Sequence, residues 1–309
     1  MAIKALSIFS ALLLSLSSPA ADGPGLVAFG DSLSDMGNRW LATNKSDPEF
    51  RQTWVARLAG PGMLNLPGFK PSGLTSWFGG SNYAVGGAGT AHTAGMTHAR
   101  NRDQHLTQQV SGRYLNPAFN KDGVYKEALH VIVIGANDLM LASIGPAQVL
   151  SLWKHLDQEG IAVARSAEGQ IQALAAAGVT RVMWGNIFDV ALAPALNLRA
   201  RALGESMAPV YQAALTRAVV AHNAEMDAAM TRLTQTNPAL QVIKLDLFAR
   251  FAEVAADPPR FGFKSVITGA NDRHHVFSAD GLHPTPQGQQ MLSEYAWQVL
   301  QKAGAAPGG

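Results

Sequence analysis

Four short apolar runs, residues 26–29, 129–134, 179–184 and 240–245, constrain this chain more than any other feature. Each is mostly β-branched or bulky and lacks polar alternation, the pattern of a strand covered on both faces. Strands of that kind belong to parallel sheets, and parallel neighbours need a crossover, usually a helix. Helical spacing occurs between the runs. Pro146 is a suitable first residue, Val149, Trp153 and Leu156 follow three to four apart, and Gly178 is a stop signal before the next run. A second helix is predicted from about Pro209 to Leu233, with Leu215, Val219, Met226, Met230 and Leu233 on one face. A third begins near Pro286, where Met291, Leu292, Tyr295, Ala296, Val299 and Leu300 recur. Residues 82–85 form a weaker fifth run. The expected architecture is a parallel sheet sandwiched between helices, with any site at the carboxyl ends of the strands.

No long Ser/Pro/Gly linker, charge block or repeat divides the 309 residues. Residues 21–309 are therefore expected to form one domain. Residues 1–20 read as a secretory signal peptide: Lys4 supplies a positive charge, residues 5–18 are apolar or small, and Ser18-Pro19-Ala20 fits a small-x-small cleavage site. The apolar stretch is shorter than the ~20 residues that span a bilayer. Export, to the periplasm or beyond, is the expectation, with no integral membrane segment in the remaining chain. The absence of cysteine excludes disulfides, thiolate chemistry and a lipid-bearing cysteine. The net charge of +2 is too balanced to imply a nucleic-acid partner.

The chemistry begins at Phe29-Gly30-Asp31-Ser32-Leu33-Ser34-Asp35, straight after the first run. A serine on a strand-to-helix turn is where hydrolases place a nucleophile, and the positive end of a following helix would favour developing negative charge. Near the far end, Asp280-Gly281-Leu282-His283-Pro284 offers a base and its orienting carboxylate three residues apart. Neutral imidazole titrates near pH ~6.5, which suits His283 to that role. Taken singly these are also an ordinary cap, turn and loop. Two further segments join them. Asn82-Tyr83-Ala84-Val85-Gly86-Gly87-Ala88 lets backbone N–H groups approach a substrate, and Gly135-Ala136-Asn137-Asp138 follows the strongest strand, where an Asn amide can point into a cleft. Two stretches without a clean period, residues 60–80 and 188–206, are candidates to line that cleft.

Other segments carry weaker signals. Gly204-Glu205-Ser206-Met207-Ala208 approximates a nucleophile elbow, but residues 197–203 before it do not read as a strand. His274-His275 lacks a carboxylate or third histidine at ligand spacing and reads as a loop pair. His222, on an apolar helix face, reads as a packed histidine, and Gly86-Gly87-Ala88-Gly89 lacks dinucleotide spacing.

The four blocks around Ser32, Gly87, Asn137 and Asp280/His283, in that order, resemble the GDSL (SGNH) hydrolase family over nearly the whole mature chain. Asn82 to Ala88, and Asn186-Ile187-Phe188-Asp189-Val190 with Pro194, resemble its secreted lipase, phospholipase and haemolysin-like branch. The resemblance implies a flavodoxin-like three-layer α/β/α fold and a serine esterase with neither metal nor cofactor. It assigns Ser32 as nucleophile in preference to Ser34, His283 as base and Asp280 as its partner. The implied oxyanion donors are the backbone N–H of Ser32, the N–H of Gly87 and the side chain of Asn137; adjacent Gly86 leaves the glycine assignment open. Short-chain carboxylic esters are the expected substrates. Phospholipid or other lipid acyl chains, acetylated polysaccharide, and choline esters held by Trp40, Trp77 or Phe78 are alternatives. Acyl transfer to an acceptor other than water would use the same groups, and a binding protein with a relict site is the non-enzymatic rival.

Overall fold

Each of the four apolar runs overlaps a strand: β1 (Leu26–Gly30), β2 (Leu129–Val133), β3 (Arg181–Gly185) and β4 (Gln241–Leu245). They pair in parallel in the order β1-β2-β3-β4, with Gly30 opposite Val133 and Val133 opposite Gly185. The computed structural model describes residues 25–39, 52–74, 77–90, 104–143, 153 and 155–306. The signal-peptide segment, Trp40, Pro146 and Val149 lie outside the described residues.

The weak fifth run lies beside β1. Ala28 N–H donates to Ser81 O at 3.0 Å, Tyr83 N–H to Ala28 O at 2.7 Å and Val85 N–H to Gly30 O at 3.0 Å. These bonds run parallel, with Ala28 bridged to Asn82. Counting this segment, the strands stand in chain order 2-1-3-4-5, the flavodoxin-like doubly wound arrangement. Its topological switch point falls between β1 and β2.

The helices are α1 (Trp54–Leu58), α2 (Ala136–Ala142), α3 (Leu156–Ala176), α4 (Pro194–Ala202), α5 (Ala208–Thr236), α6 (Leu247–Ala256) and α7 (Pro286–Lys302), with a π-helical stretch at Gln108–Tyr114. A small second sheet pairs β5 (Ser265–Gly269) with β6 (His275–Phe277). Strand residues alternate between two cores, as a period of two requires. Leu26, Ala28, Val131, Val133, Met183, Ile243 and Leu245 face one side with α1, α6 and α7. Val27, Phe29, Ile132, Val182 and Trp184 face the other with Tyr114 and with Ile171 and Leu174 of α3. Helices thus cover both faces, giving a three-layer α/β/α sandwich.

Local signals act as their chemistry dictates. Gly178, at φ +94°, closes α3 in a Schellman turn: its N–H donates to Ala175 O, and that of Val179 to Leu174 O. Val179 therefore belongs to the helix cap, and β3 starts two residues later than the apolar run. Pro286 opens α7, whose cap Thr285 accepts the Gly288 N–H at 3.1 Å. Residues 188–206 do contain a helix, α4. It buries only Leu196 and Ala200 and leaves Leu198 exposed, so its apolar period is masked.

Candidate active site

Ser32 lies just past the end of β1 and Asn137 just past the end of β2, on either side of the switch point. Gly30 precedes the turn at φ +153°, and a Cβ there would sit 2.5 Å from Val133 O, so the strand end packs too closely for any side chain. The expected helix after Ser32 is not among the described residues. A single turn stands there instead, in which Asp31 O accepts the N–H groups of Ser34 and Asp35 at 3.1 and 3.0 Å. The Asp35 carboxylate captures the N–H groups of Gly37, Asn38 and Arg39, at 2.8, 2.7 and 3.1 Å, so side-chain acceptors replace the helical ladder.

The loop between β6 and α7 brings the far end of the chain to this turn. Ser278 N–H donates to His283 O at 2.8 Å and Gly281 N–H to Ser278 O at 2.8 Å, closing the loop on itself. Ala195 N–H, at the start of α4, donates to Gly281 O at 3.1 Å and packs the loop from outside. Within it, His283 Nδ1 lies 2.6 Å from Asp280 Oδ2, and His283 Nε2 lies 2.8 Å from Ser32 Oγ. Asp280 Oδ1 accepts from Ser278 Oγ at 2.8 Å, Leu282 N–H at 2.9 Å and His283 N–H at 3.0 Å. Burial works to raise the Asp280 carboxyl, but the hydrogen bond and charge of His283, with the loop N–H groups, hold it well below the usual carboxylate range. An ionised carboxylate there keeps the proton on Nδ1 and presents Nε2 to the serine as acceptor.

The glycine segment is anchored from both sides. Gly86 N–H donates to Asp35 Oδ2 at 2.8 Å. Asn38 Nδ2 donates to the carbonyls of Asn82 and Ala84, at 2.8 and 2.9 Å. Asn137 is the second residue of α2; Gly135, not Asn137, takes the cap position. Its Nδ2 donates to Ala88 O at 2.9 Å, which occupies one amide hydrogen and leaves the other for a ligand. Next to it, buried Asp138 accepts the N–H and Oγ1–H of Thr90 at 3.1 and 3.0 Å.

These residues border a cleft of about 330 Å³, open to solvent, lined by Asp31, Ser32, Asn137 and His283 with apolar Leu33, Met140, Phe188, Val190 and Leu282. Of the two irregular stretches expected to line a cleft, residues 188–206 do so through Phe188 and Val190. Residues 60–80 border a separate depression with Pro61, Leu66 and Phe69. Asp31 is buried on the cleft floor. Burial pushes its carboxyl up to about 6, against the pull of the Leu33 N–H and of His283.

The weaker sequence signals resolve as follows. Ser34 is buried, and its Oγ accepts the indole N–H of Trp54 at 3.1 Å. Ser206 follows helix α4, not a strand. His222 is buried and its Nδ1 lies 2.9 Å from Asn223 Oδ1. His275 opens β6 and does have a carboxylate, Asp272, 2.8 Å from its Nδ1, contrary to the expectation of a carboxylate-free loop pair. Among the described residues no group of three His, Cys, Asp or Glu is placed to hold a metal ion. No helix of the described residues is long and apolar enough to cross a membrane. Sequence reasoning missed Ser278 and the part that Asp35 plays at Gly86, since neither contact has a spacing signature.

The doubly wound parallel sheet carries this cleft at its switch point, where sheets of this kind place their sites. The chain belongs to the GDSL-like lipase/acylhydrolase family, whose family model matches residues 26–296. It is similar to Lipase 1 of Photorhabdus luminescens, at 24% identity over 361 residues, covering 94% of this chain and 52% of that protein. The chain thus spans about half the length of this curated relative. Among solved structures it is similar to an extracellular lipase from Streptomyces rimosus, at 15% identity and a TM-score of 0.44, covering 90% of this chain and 98% of that one.

Proposed function

We propose that this protein is an exported serine carboxylic-ester hydrolase that works through an acyl-enzyme on short-chain esters. The observation that carries the proposal is the unbroken relay from Ser32 Oγ through His283 to Asp280, at 2.8 and 2.6 Å. Ser32 Oγ attacks the ester carbonyl carbon while its proton passes to His283 Nε2. The resulting imidazolium is stabilised by Asp280. The tetrahedral oxyanion is held by the N–H groups of Ser32 and Gly87 and by Asn137 Nδ2. Commitment of the Gly86 N–H to Asp35 supports Gly87 over Gly86 in this set. Collapse breaks the bond to the alcohol oxygen, which takes the proton from His283 and departs. Water then repeats the sequence, leaving the carboxylic acid and free Ser32.

The apolar lining of the cleft by Leu33, Met140, Phe188, Val190 and Leu282 supports an acyl group as the part of the substrate it takes. Trp77 and Phe78, weighed as an ammonium site, are not among its lining residues. Export rests on the amino-terminal composition alone; amino-terminal sequencing of the mature protein tests it.

Incubation with a fluorescent phosphonate, followed by peptide mass mapping, tests the nucleophile. Label on Ser32 is expected, together with faster turnover of acetyl and butyryl than of long-chain model esters. Absence of label on demonstrably folded protein overturns the proposal and favours a relict binding site.

A further inference from the structure

Two of the three oxyanion donors in this scheme, the N–H groups of Ser32 and Gly87, come from separate segments, the turn after β1 and the glycine segment 86–89. The two run together as far as Gly30 and then part. In a regular parallel ladder the Gly30 N–H would donate to Tyr83 O, continuing the bonds that Ala28 makes. It donates instead to Gln109 Oε1, at 2.8 Å. Gln109 Nε2 donates in return to Gly30 O at 2.7 Å, sharing that carbonyl with Val85 N–H, and to Gln104 O at 2.9 Å. Gln109 is completely buried, so a single side-chain amide fills the gap where the two strands diverge.

The backbone that carries Gln109 also grips the glycine segment. Leu106 N–H donates to Gly89 O at 2.9 Å, and Gly89 N–H donates to His105 Nδ1 at 3.1 Å. Gln104 Oε1 accepts from Arg39 Nη1 at 3.1 Å, and the same Nη1 lies 3.3 Å from Gly86 O. Gln109 itself stands in the π-helical stretch Gln108–Tyr114, an uncommon backbone form that recurs at functional sites. Residues 104–109 therefore touch Gly30 on one side and Gly89 on the other, and reach Gly86 through Arg39.

We propose that Gln109 is a positioning residue for the esterase reaction: its amide locks Gly30 to the segment that holds the glycine loop, and so fixes the spacing between the Ser32 and Gly87 N–H groups. This rests on Ser32 as nucleophile. Gln109 touches no reacting atom, and its effect is on the aim of the donors, where misplacement of about 1 Å costs on the order of 100-fold.

Two variants test it. Gln109→Met keeps length and removes both hydrogen-bonding functions. Its kcat and its rate of phosphonylation at Ser32 are expected to fall about 10- to 100-fold with KM little changed. Gln109→Glu is an isostere whose competence depends on pH. Protonated, it accepts from Gly30 N–H and donates to Gly30 O; ionised, it sets an anion against that carbonyl. Burial favours the protonated form, so its kcat relative to the unsubstituted enzyme is expected to be highest at pH 6 and to fall about tenfold by pH 9. A kcat ratio that stays flat with pH, at whatever level, overturns the proposal, as does native kcat in folded Gln109→Met. If Gln109→Met does not fold, the pH series on Gln109→Glu decides alone. Ser32→Ala run alongside separates the two inferences: full turnover there removes the nucleophile assignment, whatever Gln109 does.

Discussion

The backbone N–H of Gly86 donates to the Asp35 carboxylate at 2.8 Å, three residues beyond the serine that shares its turn. One side chain thereby couples the Ser32 turn to the glycine loop and occupies the Gly86 N–H. Asp35→Ala removes the acceptor of four N–H groups. It is expected to lower kcat about tenfold or more and stability by about 2 kcal/mol, the scale of hydrogen bonds to a charged group. Steady-state kinetics and urea unfolding check both. Unchanged kcat would show that the loop keeps its aim without Asp35.

Asn137 presents one amide hydrogen to the cleft while the other holds Ala88 O at 2.9 Å. Asn137→Ala is expected to reduce kcat by roughly 10²–10³, the loss seen when one oxyanion donor is removed. A matching fall in the phosphonylation rate at Ser32 is expected, because negative charge develops on the phosphoryl oxygen in the transition state of that attack. A change confined to KM would place Asn137 in substrate binding alone.

Ser34 is the nearest chemical competitor of Ser32, yet its Oγ is sealed under Trp54. Ser34→Ala is expected to keep phosphonate labelling at Ser32 at its full rate while losing about 1 kcal/mol of stability, the worth of one hydrogen bond. Loss of labelling in the folded variant would reopen the assignment.

Asp31 titrates in the direction opposite to most carboxylates. Its folded value is pushed up to about 6 by burial, whereas an unfolded aspartate titrates near ~3.9. Between those values the folded protein holds a proton that the unfolded chain has released. Stability therefore declines as pH rises from ~4 to ~6 and stays lower above that. Asp31→Asn removes the penalty and is expected to add about 1–3 kcal/mol at pH 8 and nothing at pH 4. Equal shifts at the two pH values would disprove the linkage.

Two buried histidines oppose that trend. Burial pushes His130 and His222 down to about 4, while an unfolded histidine titrates near ~6.5. As pH falls between those values the unfolded chain takes up protons that the folded core refuses. Stability drops by roughly 1.4 kcal/mol per pH unit for each histidine. His222→Gln is expected to cut proton uptake on unfolding at pH 5 by about one. The slope of unfolding free energy against pH measures it, and an unaltered slope would exclude His222 as a source.

The sheet was legible because strands buried on both faces leave nothing polar to confuse with another period, as in Val131-Ile132-Val133. Asp280 and His283 were legible as a pair because a tight loop makes their geometry local. The turn after Ser32 was misread as a helix start because its deciding contacts come from Asp35, a side chain that competes for the N–H groups a helix would use. Sequence does not separate Gly86 from Gly87, because the contact that occupies the Gly86 N–H comes from Asp35, remote in the chain. Helix α4 and the β5–β6 pair escaped notice because few of their residues are buried. Gln109 carried no signal at all: a glutamine between Leu106 and Val110 reads as surface until its partner, remote in sequence, is known.

Ser32 and His283 are separated by 251 positions yet meet at 2.8 Å. On the mechanism proposed above, the nucleophile stands just past strand β1 and its base just before helix α7, so the base is synthesised long after the serine. A nascent chain that has not reached His283 carries the serine without the means to activate it, however well its first strands have paired. Closing so long a loop is also slow compared with local helix formation. On the proposed mechanism turnover is therefore a report on completed folding: a refolding sample is expected to regain helical content before it regains turnover, and the delay between the two measures the docking of the last loop.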